Sequence, residues 1–351
     1  MKVLMMTQHL EKDHWLLGFI HTWVAELAQQ VEQLAVIAFS VGKIDLPHNV
    51  AAFSLGKELG LGRVARAQRL AYLLGIALPG KDVFFSHLSD TYPLLAAPFC
   101  WRWGIPMTMW YTHRSVTWRL RLSEKLVQRI YTASPESLQL QSRKSRVLGH
   151  GIDTRLFAPK QKLQQNELKF GQIVSVGRIT PIKNLHLLIE ALPAVPQAQL
   201  VLVGAPALPS DERYQAQLQT RIVELGLQER VIFAGGCSPD QTAAYYQAAQ
   251  FSVNLAPTGG LDKVVLESMA CGTPALAFNR TFAPLFAEHT PVLQIPSLSP
   301  SQIAQQLKQA LALSAETYQQ VAAHQRARVL ADYSLPALMH KLCSEFAQLR
   351  P

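Results

Sequence analysis

Short apolar runs of strand length alternate with helical patterns along nearly the whole chain. In the first half, the strand-like runs cover residues 2–7, 34–39, 83–86, 107–111 and 129–132. In the second half, they cover residues 173–176, 199–203, 231–234, 251–255 and 274–278. Because parallel strands need long crossover connections, usually helices, this alternation is typical of parallel sheets. The sequence therefore predicts an α/β fold, with a helix over residues 19–31.

A polar connection divides the chain into two halves. Residues 149–165 combine Gly, Asp and Pro, a composition typical of a hinge. A chain of 351 residues that is 49% hydrophobic is long enough to build two cores. We predict an N-terminal domain over residues 1–160, a C-terminal domain over residues 161–334 and a final helical segment over residues 335–351.

The segment PTGGLDKVVLESMACG, residues 257–272, predicts an anion site at the start of a helix. Gly259 and Gly260 follow an apolar strand, so backbone amides at the helix N-terminus can approach a diphosphate closely. Lys263 lies in the first helical turn. Glu267 lies one turn further, where a carboxylate can bind the paired hydroxyls of a ribose. The alternative is a capped helix with ordinary surface charges.

The segment FGQIVSVGRITPIKN, residues 170–184, predicts a pair of cations at the end of a strand. Arg178 follows the strand after a single glycine, and Lys183 follows a proline turn. Together they fit a clamp for a leaving diphosphate, whose negative charge grows as a sugar bond breaks. The alternative is a helix start with two solvated cations.

A third segment, GHGIDTRLFAP at residues 149–159, precedes the predicted second domain. Together with VGRITPIKN (residues 176–184) and LESMACGTPALAF (residues 266–278), it resembles glycosyltransferase family 4, the retaining GT-B enzymes of group 1. The resemblance covers nearly all of the chain. It implies two Rossmann-like domains facing across a cleft, with a C-terminal helix that crosses back to the first domain. By this resemblance, Arg178 and Lys183 hold the donor diphosphate and Glu267 holds the ribose.

The sequence departs from the family at one position of this site. The family carries a glutamate eight positions before the ribose-binding one, where it contacts the transferred sugar, and this chain has Gly259 there. We hypothesise that Asp262 supplies the missing acceptor for sugar hydroxyls, with Lys263 reaching the phosphate. An equally good interpretation makes Asp262 a carboxylate that interacts with the helix dipole.

Three residues of the first half are candidates for the sugar and the acceptor. His113 directly follows the strand TMWY, and in the resembling family a histidine here orients the sugar; the alternative is a structural histidine. Gly18 matches the family's glycine loop near the donor, although only one glycine of the usual pair is present. Asp13 is assigned to acceptor binding or general base catalysis. Glu11, or no side chain at all, is the alternative to Asp13.

The donor base is expected to be read by backbone groups after two strands of the second half. Gly204, Gly235 and Gly236 lie in these loops. Backbone contacts leave no signature that separates a uridine from a guanosine donor, so both stay open.

No metal or cofactor is expected beyond the nucleotide-sugar donor. The sequence has no Asp-x-Asp pair, and its four cysteines are too dispersed to predict a zinc site or a disulfide framework. The predicted cation clamp supplies the charge that a metal ion would otherwise bring.

Positive charge is concentrated in the first half. Residues 1–160 contain 19 Lys and Arg against 11 Asp and Glu, whereas residues 161–351 contain 14 against 13. Two basic amphipathic stretches stand out, around residues 59–73 and 114–129, and they resemble membrane-surface elements. An anionic membrane is the favoured partner and no nucleic acid is expected, since no nucleic-acid motif accompanies the charge. Solvated helix faces remain the alternative.

We expect a cytoplasmic protein, peripheral at the inner face of the membrane. The N-terminal sequence turns polar too soon for a signal peptide, and the longest apolar stretch, residues 92–111, is interrupted by Arg102 and two prolines.

The predicted function is a retaining, metal-independent glycosyltransferase. It would move a sugar from a nucleotide-diphosphate sugar to a hydroxyl acceptor, a glycan or a lipid-linked cell-envelope precursor. The alternatives are a GT-B nucleotide-sugar epimerase and a non-catalytic nucleotide-sugar-binding protein. A nicotinamide dehydrogenase is disfavoured because no Gly-x-Gly-x-x-Gly turn follows the first strand.

Overall fold

The computed structural model describes residues 1–14, 17–113, 115–160, 169–257 and 260–349. The chain divides into two compact units. Unit 1 comprises Met1–Gly151 with Leu335–Pro351, and unit 2 comprises Ile152–Ser334. Gly259 and Arg114, both within segments discussed above, lie outside the described residues.

Unit 1 contains a parallel sheet of seven strands in the order β3-β2-β1-β4-β5-β6-β7. Its strands are β1 Lys2–Leu10, β2 Gln33–Val41, β3 Val50–Ser54, β4 Val83–His87, β5 Met107–Trp110, β6 Arg129–Thr132 and β7 Ser145–Val147. Its helices are α1 Phe19–Ala28, α2 Arg63–Ala77, α3 Tyr92–Arg102, α4 Trp118–Leu126 and α13 Leu335–Ala347.

Both faces of this sheet are covered, as β1 illustrates. Leu4 and Met6 lie in one apolar cluster, while Val3 and Met5 lie in another, and all four side chains are at most 1% exposed. Since alternate residues of a strand point to opposite faces, a strand buried on both faces reads as a continuous apolar run. Helices α2, α3 and α4 cover the first face, and α1 and α13 cover the second.

Helix α13 belongs to the core of unit 1, although it follows unit 2 in the sequence. The ring of Phe346 packs edge-on against Phe85 and Tyr131, with centroid distances of 5.3 and 5.9 Å. Beside it, the Arg129 Nε and Glu345 Oε2 atoms are 3.7 Å apart. The apolar stripe of this helix therefore supplies much of the second face of the sheet.

Unit 2 contains a parallel sheet of five strands in the order β10-β9-β8-β11-β12. Its strands are β8 Lys169–Val176, β9 Gln199–Val203, β10 Val231–Gly235, β11 Ala249–Asn254 and β12 Ala275–Ala277. Its helices are α5 Leu185–Ala191, α6 Pro209–Glu224, α7 Pro239–Ala248, α8 Lys263–Ala270, α9 Ala283–Phe286, α10 Thr290–Leu293, α11 Pro300–Leu311 and α12 Ala315–Asp332.

The structure differs from the sequence predictions mainly at element ends and edges. The helix predicted over residues 19–31 ends at Ala28, because the exposed residues Gln29 and Gln30 turn the chain toward β2. The edge strands β3 and β7 were not predicted; β3 has a short apolar run, Val50–Phe53, whereas β7 has none. Pro98 lies inside helix α3.

Three glycines line the carboxyl ends of β8, β9 and β10. The amide of Gly177 donates to the Val203 carbonyl over 2.9 Å, and the amide of Gly204 donates to the Gly235 carbonyl over 2.8 Å. Gly204 has φ +141°, and a Cβ placed on it would lie 1.9 Å from the Gly177 carbonyl oxygen. This close approach of two backbones requires a residue without a side chain.

We expect Gly204→Ala to destabilise the protein by about 3 kcal/mol or more, because the methyl group meets rigid backbone and the dihedral angle is nearly exclusive to glycine. Gly226→Ala is the matched control. Gly226 also has positive φ, but a Cβ placed on it would have no described atom within 4 Å. The control should cost about 1–2 kcal/mol. Chemical denaturation compares the two variants, and equal losses would contradict the role of the backbone contact.

Candidate functional site

The strand order of unit 2 places a crevice between β8 and β11. From β8 the chain proceeds to β9 and β10 on one side, whereas β11 and β12 lie on the other. At such a reversal the loops leave neighbouring strands in opposite directions, and ligands bind at the carboxyl ends. The loop after β8 carries Arg178 and Lys183, and the loop after β11 leads to Asp262 and helix α8. The two segments singled out in the sequence therefore meet at this crevice.

Lys183 ends a short 3₁₀ turn, Pro181–Lys183, that is fastened to the opposite loop. The next residue, Asn184, has the left-handed conformation (φ 51°), and its Nδ2 donates to the Leu255 carbonyl over 3.0 Å. Asparagine tolerates this conformation better than most residues. A Cβ at Gly177 would lie 3.3 Å from the Lys183 Cε atom, so the glycine leaves room for the lysine to cross the end of β8.

Lys183 forms an ion pair with Asp262. The Asp262 carboxylate also accepts a hydrogen bond from Asn254 Nδ2 over 3.0 Å, and the Asn254 Oδ1 accepts one from the Ala256 amide. Asp262 is at the N-cap position of α8, but its side chain makes no capping hydrogen bond. Its carboxylate is thus directed to Lys183 and Asn254, a contact that neither sequence interpretation of Asp262 included.

Glu267 lies within α8 with its side chain 13% exposed. Its Oε1 atom is 3.8 Å from the Lys263 Nζ atom. Burial raises the pKa of Glu267 above its ordinary value; the Lys263 charge opposes this shift and the Asp262 charge adds to it. Helix α8 is anchored by buried Val265, Leu266 and Met269. The carboxyl group is therefore held in place and retains its proton more readily than a surface glutamate.

The remaining predicted residues of unit 2 follow the carboxyl ends of its strands, and Gly236 follows the edge strand β10, two strands away from the crevice. Arg178 is exposed, and no carboxylate of the described residues lies within 4.0 Å of its guanidinium. Gly260 precedes α8. Gly204 and Gly236 follow β9 and β10, and the backbone contact described above already accounts for the glycine at position 204. Gly259, where the family has its first glutamate, lies outside the described residues.

The predicted residues of unit 1 follow the carboxyl ends of β1 and β5. His113 is exposed, with its ring 5.3 Å from that of Tyr111. Asp13 is exposed and lies 3.5 Å from the Lys43 Nζ atom. Gly18 is buried, and a Cβ on it would lie 2.7 Å from the His14 carbonyl oxygen. The loop after β1 therefore requires a glycine at this position for its own packing.

A polar network at the end of β1 was not predicted from the sequence. The two ring nitrogens of His9 contact Ser40 Oγ at 2.5 Å and Glu11 Oε2 at 2.7 Å, and the His14 ring centroid lies 4.5 Å from that of His9. Burial, with a smaller effect from His9, lowers the pKa of His14. The only sequence signal was the mixture of His9, Glu11 and His14 after an apolar strand. No sequence pattern predicted the hydrogen bonds that Asn184 and Asn254 make at the crevice of unit 2.

Neither a cluster of metal-ion ligands nor a membrane-spanning helix is found in the described part of the chain. No three His, Cys, Asp or Glu side chains there are grouped as a metal ion would require. No helix in that part combines the length and hydropathy needed to cross a bilayer.

Comparison with known proteins identifies the protein family that most of unit 2 matches. Residues 159–328 match the family model "Glycosyl transferases group 1". D-inositol 3-phosphate glycosyltransferase of Mycobacteroides abscessus is 32% identical over 133 residues, which are 36% of this chain and 30% of that protein. Alpha-monoglucosyldiacylglycerol synthase of Streptococcus pneumoniae is 31% identical over 151 residues, 39% of this chain and 33% of that one. The chain thus spans about a third of the length of these relatives.

A likeness to solved structures extends over both units. Anabaena HepE, crystallised with UDP and glucose, has a TM-score of 0.74 at 17% identity, covering 99% of each chain. At this identity the likeness shows the fold alone. The chain has the GT-B architecture of two Rossmann-like parallel α/β domains. Its residues 159–328 belong to the group 1 glycosyltransferases, which confirms the resemblance to that family read from its motifs.

Glu267→Gln tests the environment of the α8 carboxyl. A carboxyl whose pKa is raised in the folded state loses its proton more readily in the unfolded state, so folding stability falls as the pH rises from the ordinary carboxyl range through the raised pKa. The glutamine variant lacks this penalty. We expect its melting temperature, relative to that of the native protein, to increase between about pH 4 and about pH 8.

The control for this measurement is Gln219→Ala, an uncharged substitution at an exposed position of α6. The melting temperature of this variant should differ from that of the native protein by the same amount at both ends of the pH range. A difference for Glu267→Gln that is constant with pH, or that declines, would contradict the buried environment of this carboxyl.

Proposed function

We propose that the chain is a retaining, metal-independent glycosyltransferase that moves a sugar from a nucleotide-diphosphate sugar to a hydroxyl acceptor. One observation carries the proposal. The loop that carries Arg178 and Lys183 meets the start of α8, the helix of Glu267, through the Lys183–Asp262 ion pair at the strand-order reversal of a group 1 glycosyltransferase domain. This is the place where a parallel sheet binds nucleotides.

The donor diphosphate would bind to Arg178 and Lys183, with Lys263 and the amide of Gly260 at the start of α8. Arg178 offers a planar fork and Lys183 a point charge. As the sugar bond breaks, the leaving diphosphate gains negative charge, which these cations stabilise without a metal ion. Glu267 would accept hydrogen bonds from the ribose hydroxyls.

Asp262 has a further role in this proposal, because its carboxylate orients Lys183. A donor diphosphate must share or replace this partner, so binding would exchange one ion pair for another. The exchange would direct the freed carboxylate toward sugar hydroxyls, which develops the hypothesis that Asp262 replaces the glutamate absent at position 259.

The acceptor would bind to unit 1, with Asp13 as an acceptor-binding group or general base and His113 orienting the sugar. Gly18 would let the loop after β1 approach the donor. The matched relatives are named for an inositol phosphate and for a glucosyldiacylglycerol, which supports a phosphorylated polyol or glycolipid precursor as the acceptor. Retention would follow from attack on the same face of the sugar, assisted by the leaving phosphate.

Nucleotide binding and transfer are tested together. UDP, GDP and their glucose and mannose conjugates should raise the melting temperature selectively, by mass action on the native state. Lys183→Ala and Glu267→Ala should weaken the preferred nucleotide about tenfold or more, because each removes a charge-assisted contact. Lys308→Ala, an exposed lysine of α11, is the matched control.

Radiolabelled transfer to a membrane lipid extract then separates the alternatives. Transfer with retention supports the proposal. Interconversion of the donor sugar without an acceptor would favour the epimerase, and binding without turnover would favour the non-catalytic protein. No response to any nucleotide would overturn the site itself.

The outer surface of α2, α3 and α4 supports a peripheral membrane location. These three helices pack in sequence over one face of the sheet and carry a single acidic residue, Glu124. Their exposed apolar side chains are Val64, Tyr72, Ile76, Leu95, Trp101, Trp118 and Leu122, and Trp103 follows α3. Their exposed cations are Arg63, Arg69, Arg102, Arg121 and Lys125. Aromatic side chains among cations match the chemistry of an anionic lipid surface on the cytoplasmic side.

We expect the protein to float with vesicles of phosphatidylcholine and phosphatidylglycerol and to stay behind with phosphatidylcholine alone. Trp118→Ser should reduce binding severalfold, since the exposed indole no longer enters the interface. Val223→Ser, at an exposed position of α6, is the control. Equal binding to neutral vesicles, or a preference for duplex DNA, would contradict the assignment.

A further inference from the structure

Unit 1 contains a large cavity that the donor site does not use. It has a volume of about 910 Å³ and lies at the carboxyl ends of β1 and β2, beside the first turns of α2 and α3. A cavity of this size fits a small-molecule ligand. Among the described residues, those that line it all belong to unit 1.

One wall of the cavity is positively charged. Lys57, Arg63 and Arg66 line it, and no carboxylate of the described residues lies within 4.0 Å of any of the three. The Arg66 guanidinium lies 4.6 Å from the ring centroid of Phe39, and the Lys57 Nζ atom lies 5.7 Å from it. The aromatic ring thus holds both cations without neutralising them.

The one carboxylate on this wall, Glu58, is already engaged. Burial acts to raise the pKa of Glu58, but hydrogen bonds from the Ser54 hydroxyl and from backbone amides, with Arg69 nearby, hold it below its ordinary value. Glu58 is therefore ionised through contacts of its own. With three cations against one carboxylate, the wall keeps an excess positive charge.

The rest of the cavity lining is mostly apolar, with a few hydroxyl groups. The apolar lining consists of Met6, Leu17, Leu55, Ala67, Leu70 and Leu95. His14 also lines the cavity; its Nδ1 accepts a hydrogen bond from the Leu17 amide over 3.0 Å, so the neutral ring carries its proton on Nε2. Ser89 and Thr91 add hydroxyls near the start of α3.

We propose that this cavity binds the acceptor of the transfer reaction, and that the acceptor carries a phosphate ester beside an apolar group. The proposal rests on the glycosyltransferase function proposed above. The phosphate would lie against Lys57, Arg63 and Arg66, and the apolar group against Leu70 and Leu95. A neutral glycan would leave the three cations without a counter-charge.

Isothermal titration calorimetry of the full chain with three probes tests this chemistry. The probes are glycerol 3-phosphate, dioctanoyl phosphatidic acid below its micelle concentration, and dioctanoylglycerol. We expect dioctanoyl phosphatidic acid to bind about tenfold more tightly than either of the others, because it alone engages both walls. Equal affinity for glycerol 3-phosphate would overturn the apolar part of the proposal, and equal affinity for dioctanoylglycerol would overturn the phosphate part.

Variants localise the binding. Arg66→Gln and the more exposed Arg63→Gln should each weaken dioctanoyl phosphatidic acid about tenfold. Leu95→Gln should weaken this lipid and leave glycerol 3-phosphate unchanged. Arg121→Gln, an exposed arginine of α4 outside the cavity, is the control. Full affinity in both arginine variants would overturn the location.

Nucleotide binding, measured on the same variants, distinguishes a failure of the cavity proposal from a failure of the proposed glycosyltransferase function. The arginine variants should bind nucleotide normally and show a raised KM for a phosphorylated acceptor. Transfer to a neutral acceptor with no binding of dioctanoyl phosphatidic acid would refute the cavity proposal and leave the function. Absence of transfer, with lipid binding lost in Arg66→Gln, would refute the function and leave the lipid site.

Discussion

Burial of both faces of two parallel sheets is the constraint on which the rest of the structure depends. A sheet covered on both sides by helices has no room for polar chemistry along its strands, so the polar groups collect where the strands end. In unit 2 this place is made compact by the close approach of Gly177 and Gly204. Because those backbones touch, the loop carrying Arg178 and Lys183 starts from a fixed position.

Within that frame, the ion pair between Lys183 and Asp262 joins the two loops of the candidate site. The lysine comes from the loop after β8 and the aspartate from the start of α8, and Asn254 holds the carboxylate from β11. The buried carboxyl of Glu267 lies on the same helix. The charges around the crevice therefore form one coupled set, and a change at any member alters the electrostatic environment of the others.

Much of this arrangement could be predicted from the sequence. All ten strands inferred from apolar runs are present, because strands buried on both faces leave a continuous apolar signal. The loop that carries Arg178 and Lys183 and helix α8 were predictable because their residues are close together in two short segments. The contact of Asp262 with Lys183 was not, since it joins residues 79 positions apart. The cavity of unit 1 was equally invisible, because its walls come from separate strands, helices and loops whose contacts only folding creates.

Helix α13 has a consequence for the order in which the protein can fold during synthesis. Unit 2 is continuous in sequence, so each of its elements is available as soon as residue 334 has been made. The sheet of unit 1 is synthesised first, yet Phe85 and Tyr131 remain uncovered until Phe346 arrives. During the intervening synthesis of roughly 190 residues, which takes on the order of ten seconds or more, the nascent first sheet exposes an apolar face. Chaperone capture is therefore expected to concentrate on the half of the protein that the ribosome makes first.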